Sequence, residues 1–412
     1  MLQGLTGFHC FQCSQDSALG PIATCADCGT PLSLKPETLP DGAFLASRPK
    51  SLWDFRPLLP IPPDQDVVSL GEGATPVIAA PALAESCHLG AVDLKNEMGN
   101  PTGSFKDRQV VVGLNWARSL GHDTVAVVSS GNVASSAAAY AAHAGMKAIL
   151  FMHGQADPAK VAQAQTYGAT VIAVDNPSSK AVFELCIAAC EAHGWYHLST
   201  AGMYAPWNVE GAKTIAYELY QHYGANLPQW LIAPVGGGGL LGGIWRGFLD
   251  LKAMGLIIDI PRLAGVQAEG CAPLKESIDN DWLFEEHLAQ PWEDPDTIAG
   301  AIADDILFDG HTVLAALRQS WGAAIVVSDE EMIAAQRRLA KSTGLLCEIA
   351  SASAIAGLSK LPVVDRDTRV CCIVSGSGLK DLGRLAASAA PVPRIPSTMD
   401  ALNAFLHRNG IS

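Results

Sequence analysis

From about residue 92 onward the chain alternates short apolar runs with segments of helical period, and this alternation limits the possible folds more than any other feature. Residues 124–129, 147–152, 170–174, 230–235, 263–268 and 369–374 are candidate strands, preceded by a shorter one through Val92 and Leu94. Each of the six is apolar enough to be buried on both faces. Strand and helix in regular succession predict parallel sheets covered by helices. No repeat with a period of 20–50 residues and no low-complexity tract interrupts the pattern. A chain of 412 residues is long enough for two core-forming domains and a small appendage.

In open α/β sheets, ligands bind beyond the carboxyl ends of the strands, so the loops there carry the first functional signals. Ser129, Ser130, Gly131, Asn132 and Val133 follow one strand and open an alanine-rich helix. Backbone amides and hydroxyls at such a helix start can hold a carboxylate, and the Asn132 amide can reach a ring hydroxyl. Read alone, the same residues are only a helix cap. Gly236, Gly237, Gly238 and Gly239, followed by Leu240, sit between a strand and a helix, and consecutive glycines let the backbone curl into a nest of amide donors. The stretch lacks the Lys-Ser/Thr ending of a nucleoside-triphosphate loop, and its spacing is wrong for a dinucleotide. A phosphate on a small cofactor fits better, the plain alternative being a flexible turn that lets helices pack closely. Ser375, with Gly376, Ser377 and Gly378, ends the last apolar strand. A hydroxyl there can bond a pyridine nitrogen and leave it unprotonated, the plain alternative being another glycine-rich turn.

One lysine stands where these signals converge. Asn100-Pro101-Thr102-Gly103 is dense turn chemistry, and Ser104 is placed to cap a helix running through Val110, Val111, Leu114 and Trp116. Lys106 then falls in the first helical turn, where the helix dipole favours anions and a neutral amine is better placed than an ammonium. This suits an amine that condenses with an aldehyde. A solvated surface lysine is the plain reading of the residue alone; the three loops reverse it.

The N-terminal part has a different character. Cys10 and Cys13, then Cys25 and Cys28, form two paired thiols, with Gly29 after the second pair. Four thiolates can close a tetrahedron around a structural zinc ion, with disulfides or free thiols as the alternatives. The other seven cysteines lie in apolar surroundings and read as small buried residues. Residues 31–66 carry eight prolines and are expected to wrap over a surface rather than form a core. A Val-Val-Ser-Leu strand and a turn from Gly71 to Pro76 follow. Lys and Arg number 27 against 41 Asp and Glu, a net charge of −14 with no basic stripe, which argues against a nucleic-acid partner. The acidic residues around Asp294, Asp296, Asp304 and Asp305 read as a solvated face. No apolar run of membrane-spanning length and no secretory leader is evident, so the expectation is a cytoplasmic protein without a membrane partner.

Taken together, the Lys106 turn, the Ser130-Gly131-Asn132 loop, the glycines at 236–239 and the Ser375 loop resemble the fold-type II pyridoxal-phosphate enzymes and, within them, the threonine synthase family. Glu210-Gly211-Ala212-Lys213-Thr214 and Gly265-Val266-Gln267-Ala268-Glu269-Gly270 match in order as well. The resemblance implies a two-domain α/β fold of the tryptophan synthase β type, with an N-terminal zinc knuckle as in some members. It divides the chain into a knuckle (1–35), a connector (36–66), a large cofactor domain (67–99 plus 226–395), a small mobile domain (100–225) and a tail (396–412). It implies pyridoxal 5'-phosphate on Lys106, which also moves protons at the α and β carbons. The cofactor phosphate would be held by Gly236, Gly237, Gly238, Gly239 and Leu240, the ring by Asn132 and Ser375, and a small amino-acid substrate by Ser129, Ser130, Gly131, Asn132 and Val133. A homodimer is expected on the same ground.

The departures bear on the substrate. The family binds the phosphate of O-phosphohomoserine with a threonine, an asparagine, a serine and an arginine; the matching places here hold Val133, Gly202, Met203 and Asn208, and no arginine lies between Arg108 and Arg246. Charge-assisted bonds of this kind are worth on the order of 1.5–3 kcal/mol each, enough to change the substrate, although Lys213 remains as a candidate cation. Met203, Trp207 and Val133 suggest a less polar pocket, unless they only pack. The expectation is a carbon–oxygen lyase that eliminates or replaces a group at the β or γ carbon of a small amino acid. A serine/threonine-type ammonia-lyase is the alternative, and an inactive zinc-knuckle binding protein a remote third.

Overall fold

The structure is a computed structural model and describes residues 5–18, 24–36, 38–47, 49–153, 158–175, 179–387 and 390–411. It divides into two compact units, Met1–Lys380 and Asp381–Ser412. The second is small. It contains the helices Leu382–Ala387 and Met399–Arg408, the latter capped by Thr398, whose hydroxyl accepts from the Ala401 amide.

The first unit is built on two parallel sheets. The larger has six strands in the order Ala323–Val327, Arg262–Ala268, Trp230–Pro234, Arg369–Val374, Ala91–Asn96 and Val77–Ala79, the last of them antiparallel to its neighbour. The smaller runs Thr170–Val174, Lys147–His153, Thr124–Val128, Tyr196–His197, all parallel. The central strands Trp230–Pro234 and Arg369–Val374 are buried nearly throughout, as continuous runs of Leu, Ile, Val and Cys require.

Three strand readings change. Thr170–Val174 is largely exposed, because it is the edge of the small sheet with a neighbour on one side only. The stretch from Val67 to Leu70 is not a strand; the Val68 amide and carbonyl bond the Asn115 side chain at 2.8 and 2.9 Å instead. Ala323–Val327 was not anticipated, being a short run that follows a helix directly, with Gly322 and Trp321 as its turn.

The proline-rich connector also departs from expectation. Leu45, Phe55 and Leu58 enter one apolar core beside Tyr217 and Trp245, while Leu52, Leu59 and Ile61 enter another beside Val110 and Tyr140. Proline fixes its turns, but its apolar side chains are part of the cores that it crosses.

Near the N-terminus, strands Leu5–His9, Asp16–Ala18 and Ser33–Pro36 form an antiparallel sheet carrying the four paired cysteines. Phe8 meets Trp207 edge-on at 5.8 Å, and Phe11 meets Trp245 at 4.8 Å, so aromatic contacts seat this knuckle on the rest of the unit. Trp207 also stacks on Trp116 at 4.5 Å. It packs rather than lining a pocket. Among the described residues, no helix is long and apolar enough to cross a membrane.

Candidate active site

The three loops singled out on the large sheet meet because their strands are neighbours. Trp230–Pro234 pairs with Arg369–Val374, which pairs with Ala91–Asn96, all parallel. Their carboxyl ends therefore deliver the 236–239 glycines, Ser375 and the turn leading to Lys106 to one edge of the sheet. Backbone bonds clamp the last two together: the Phe105 amide donates to the Ser375 carbonyl at 2.9 Å, and the Ser377 amide to the Gly103 carbonyl at 2.9 Å. Lys380 Nζ adds a bond to the Thr102 carbonyl at 2.7 Å.

Helix Lys106–Ser119 begins at Lys106 itself, which places the lysine in the first turn. Ser104 does not cap it. Phe105 already has helical dihedrals (φ −58°, ψ −19°), the Ser104 backbone pairs with Gly376, and the buried Ser104 hydroxyl has no partner. The turn is instead tied by the buried Asp107, whose carboxylate accepts from the Thr102 amide at 2.7 Å and from the hydroxyls of Thr102 and Ser136 at 2.6 Å each.

Behind the lysine lies a buried charge cluster. Arg108 Nε and Nη2 donate to Glu97 at 2.6 and 2.9 Å, while Nη1 and Nη2 donate to Glu218 at 2.6 and 2.8 Å. Lys95 pairs with Glu218 and donates to the Thr75 carbonyl, and the Thr75 hydroxyl bonds Glu97 at 2.6 Å. Burial alone would raise the Glu218 carboxyl, but Arg108 and Lys95 hold it well below the usual range. The turn from Gly71 to Pro76 thus has a role that its sequence hid: buried Glu72 accepts from Trp53 Nε1 at 2.7 Å and from the Tyr140 hydroxyl at 2.9 Å, and Thr75 completes the cluster. Gly211 lies so close behind the helix that a Cβ there would overlap the Arg108 carbonyl.

Lys106 Nζ donates to Thr200 Oγ1 at 3.0 Å and to Gln109 Oε1 at 3.3 Å. Burial pushes its amine below the ordinary lysine value, opposed by the charges of Asp304, Asp309 and Glu348. Thr200 went unrecognised because it follows a strand of only two residues, Tyr196–His197. Gln109 reaches toward the glycines: its Nε2 lies 3.3 Å from where a Gly239 Cβ would be and has no hydrogen-bond partner.

The carboxylates are the main surprise. Asp304 turns toward the glycines, its Oδ2 lying 2.6 Å from a Cβ built on Gly236, so part of the expected solvated face lines the site; burial, against the pull of Lys106, pushes its carboxyl up to about 6. Asp309 Oδ1 accepts from the Gly202 amide at 3.0 Å, and Oδ2 lies 2.8 Å from a Cβ built on Gly239. Burial raises its carboxyl to about 7 despite Arg246 and Lys106. Asn132 Nδ2 donates to both oxygens of Glu348 at 3.1 and 3.0 Å, and Glu348 also packs on Gly376. Ser129 folds back to accept from the Gly131 amide at 3.1 Å, while Ser130 is exposed and Val133 half-buried.

Lys213 is engaged elsewhere. Its Nζ pairs with Glu210 at 2.9 Å and Asp250 at 2.7 Å, and Arg246 pairs with Glu210.

The knuckle sulfurs of Cys10, Cys13, Cys25 and Cys28 all lie within 4.8 Å of one another, with Cys10–Cys28 at 3.5 Å and Cys13–Cys25 at 3.6 Å. A tetrahedron of Zn–S bonds of roughly 2.3 Å has edges of about 3.8 Å. His9 is not part of it, its ring bonding Asp16 at 2.8 Å.

A sequence model of the family described as pyridoxal-phosphate dependent enzyme matches residues 68–376. The threonine synthase of Methanocaldococcus jannaschii is 35% identical over 410 residues, 97% of this chain and 98% of that protein. The threonine synthase of Mycobacterium tuberculosis is 36% identical over 368 residues, 87% of this chain and 97% of that protein. A fungal L-serine ammonia-lyase from Rhizomucor miehei shares the fold, with a TM-score of 0.62 at 23% identity over 77% of this chain and 99% of that one. The match spans the lysine turn and all three sheet loops, and the chain belongs to the pyridoxal-phosphate dependent enzymes as a threonine-synthase-like member.

Proposed function

We propose that this enzyme eliminates or replaces a group at the β or γ carbon of a small amino acid that carries no phosphate. The observation behind this reading is the carboxylate of Asp309, which fills the space of a side chain at Gly202: a Cβ there would overlap Asp309 Oδ1. The threonine synthase resemblance puts a phosphate-binding asparagine at that position. Asp304 and Glu348 also bear on Lys106, and Lys213 is already paired with Glu210 and Asp250. A dianionic substrate would meet the Asp309 carboxyl where it needs several donors and a cation, and a carboxyl group offers a phosphate at most one hydrogen bond and no positive charge.

The residues present suit the cofactor. Lys106 is the amine that would bind it, with its charge disfavoured by burial. The unpartnered Gln109 Nε2 and the amides of Gly236, Gly237, Gly238 and Gly239 would form an anion nest, and the Asp304 carboxyl already lies against these glycines. Asn132 and Ser375 flank the space for the ring. The bound cofactor supplies an electron sink for carbanion chemistry. The protein's part is to orient the substrate with the Ser129–Val133 loop, take the α proton on Lys106 Nζ, and hold that amine between Thr200 and Gln109. We further propose that the knuckle holds one structural zinc ion and that the enzyme works in the cytoplasm, a reading supported by eleven free cysteines.

The test is a product assay on cofactor-loaded protein offered O-phosphohomoserine, L-serine and L-threonine separately. Release of 2-oxo acid and ammonia from the hydroxy amino acids, with O-phosphohomoserine inert, is expected. Phosphate release with threonine formation would overturn the reading.

A further inference from the structure

We propose that Asp309 is the general acid that protonates a leaving hydroxyl, so that the reaction is loss of water from a β-hydroxy amino acid. This rests on the reading above and narrows it to one substrate class.

Phosphate departs as a stable anion, whereas hydroxide leaves poorly unless a proton reaches its oxygen as the C–O bond breaks. A site that replaces phosphate-binding donors with a carboxyl group has removed what the first reaction needs and added what the second needs. Asp309 is suitably held. It is 3% exposed, and its Oδ1 is fixed by the Gly202 amide at 3.0 Å. Its own amide donates to the Gly237 carbonyl at 2.7 Å. It therefore bridges the two segments that converge on Lys106: residues 200–202, whose Thr200 bonds the lysine, and residues 236–239, whose Gly239 lies beside Gln109.

The groups acting on Asp309 are Arg246 from helix Gly239–Ala253, Lys106 from helix Lys106–Ser119, and Asp304 from its own loop. His311 is buried beside Arg246 and stays neutral, its ring pushed down to about 3. Burial outweighs both cations and leaves the Asp309 carboxyl able to carry a proton up to about pH 7.

Lys106 Nζ, once freed by substrate, takes the proton from Cα. The electron pair of that C–H bond forms the Cα–Cβ double bond, and the Cβ–O bond breaks with its pair on oxygen. The carboxyl proton of Asp309 passes to that oxygen and water leaves. The ammonium on Lys106 then returns a proton to the Asp309 carboxylate, and no further reactant is needed.

The experiment compares leaving groups in the holoenzyme and in Asp309→Asn, which keeps an acceptor for the Gly202 amide. L-Serine needs a proton on its leaving oxygen; β-chloro-L-alanine does not. The variant is expected to lose roughly 100-fold or more in kcat on L-serine, as general acids typically contribute, and to stay within about threefold on β-chloro-L-alanine. The cofactor absorbance and its change on adding L-serine should persist. Equal losses on both substrates, or full activity on L-serine, would overturn the assignment. If the variant does not fold, the native enzyme decides: its kcat on L-serine should fall as pH rises through about 7, while that on β-chloro-L-alanine should not. A shared pH dependence sinks the proposal. An enzyme that turns over β-chloro-L-alanine and not L-serine defeats the hydroxyl assignment alone, and one that acts only on O-phosphohomoserine defeats the parent reading too.

Discussion

Replacing Arg108 with Met tests whether the buried charge cluster holds the lysine turn in place. Arg108 is fully buried and gives both Glu97 and Glu218 two bonds each, in addition to bonding Thr214 and Thr75. Met fills much of the same volume, but two carboxylates would then share Lys95, which pairs directly with Glu218 and stands 4.0 Å from Glu97. Removing one partner from a buried ion pair typically costs about 3–5 kcal/mol, because the charge left behind is uncompensated. With an unfolding entropy of about 2.1 cal/mol/K per residue, a chain of 412 residues shifts by roughly 1 °C per kcal/mol, so the thermal midpoint should fall by about 4–6 °C. Arg108→Lys should lie between, since an ammonium cannot make two forked pairs. Adding Glu218→Gln to Arg108→Met should recover part of the loss by removing one orphaned charge. Arg108 lies two residues from Lys106 on the same helical turn, so cofactor binding, read by absorbance, should weaken along with stability. A midpoint within about 2 °C of the native protein, or a double variant worse than the sum of its parts, would refute this account.

Other expectations follow from the same geometry. On the proposed reading the cofactor phosphate rests on the glycine amides beside Asp304, whose carboxyl carries its charge only above about pH 6. Asp304→Asn should therefore tighten the cofactor about tenfold at pH 8 and little at pH 5.5, as measured by fluorescence titration; equal affinity of native and variant at pH 8 counts against it. Because this carboxyl is raised in the folded chain, it costs stability that appears above the ordinary aspartate value and is complete above about pH 6, up to about 3 kcal/mol. Asp304→Asn should stabilise the cofactor-free protein at pH 8 and not at pH 4. Metal analysis should find one zinc per chain, and a chelator should change the emission of Trp207 and Trp245, on which Phe8 and Phe11 rest; metal-free protein with native emission would contradict this.

Much of the site was legible because parallel strands buried on both faces read as uninterrupted apolar runs, and their loops carry glycine and serine at the carboxyl ends. Trp230–Pro234 and Arg369–Val374 were clear for that reason. Short or edge elements were not: Val77–Ala79 and Tyr196–His197 contain three and two residues, too few for any period to emerge. Asp304 and Asp309 looked like surface charge because nothing in sequence tells which way a loop carboxylate turns. Their direction depends on the close approach of their loop to the glycines, where Phe308 and Val313 fill the space of absent side chains at Gly237 and Gly238. Ser104 had the right chemistry for a cap, but its backbone pairs with Gly376 and the helix starts without it. The connector misled in another way, since its prolines concealed apolar side chains that belong to the cores.

The most direct test of the account is to reduce the cofactor-loaded protein with borohydride, digest it, and map the modified peptide by mass spectrometry. A single pyridoxyl adduct on Lys106, absent from Lys106→Ala, is the predicted result; an adduct on any other lysine, with Lys106 unmodified, would contradict the site as described.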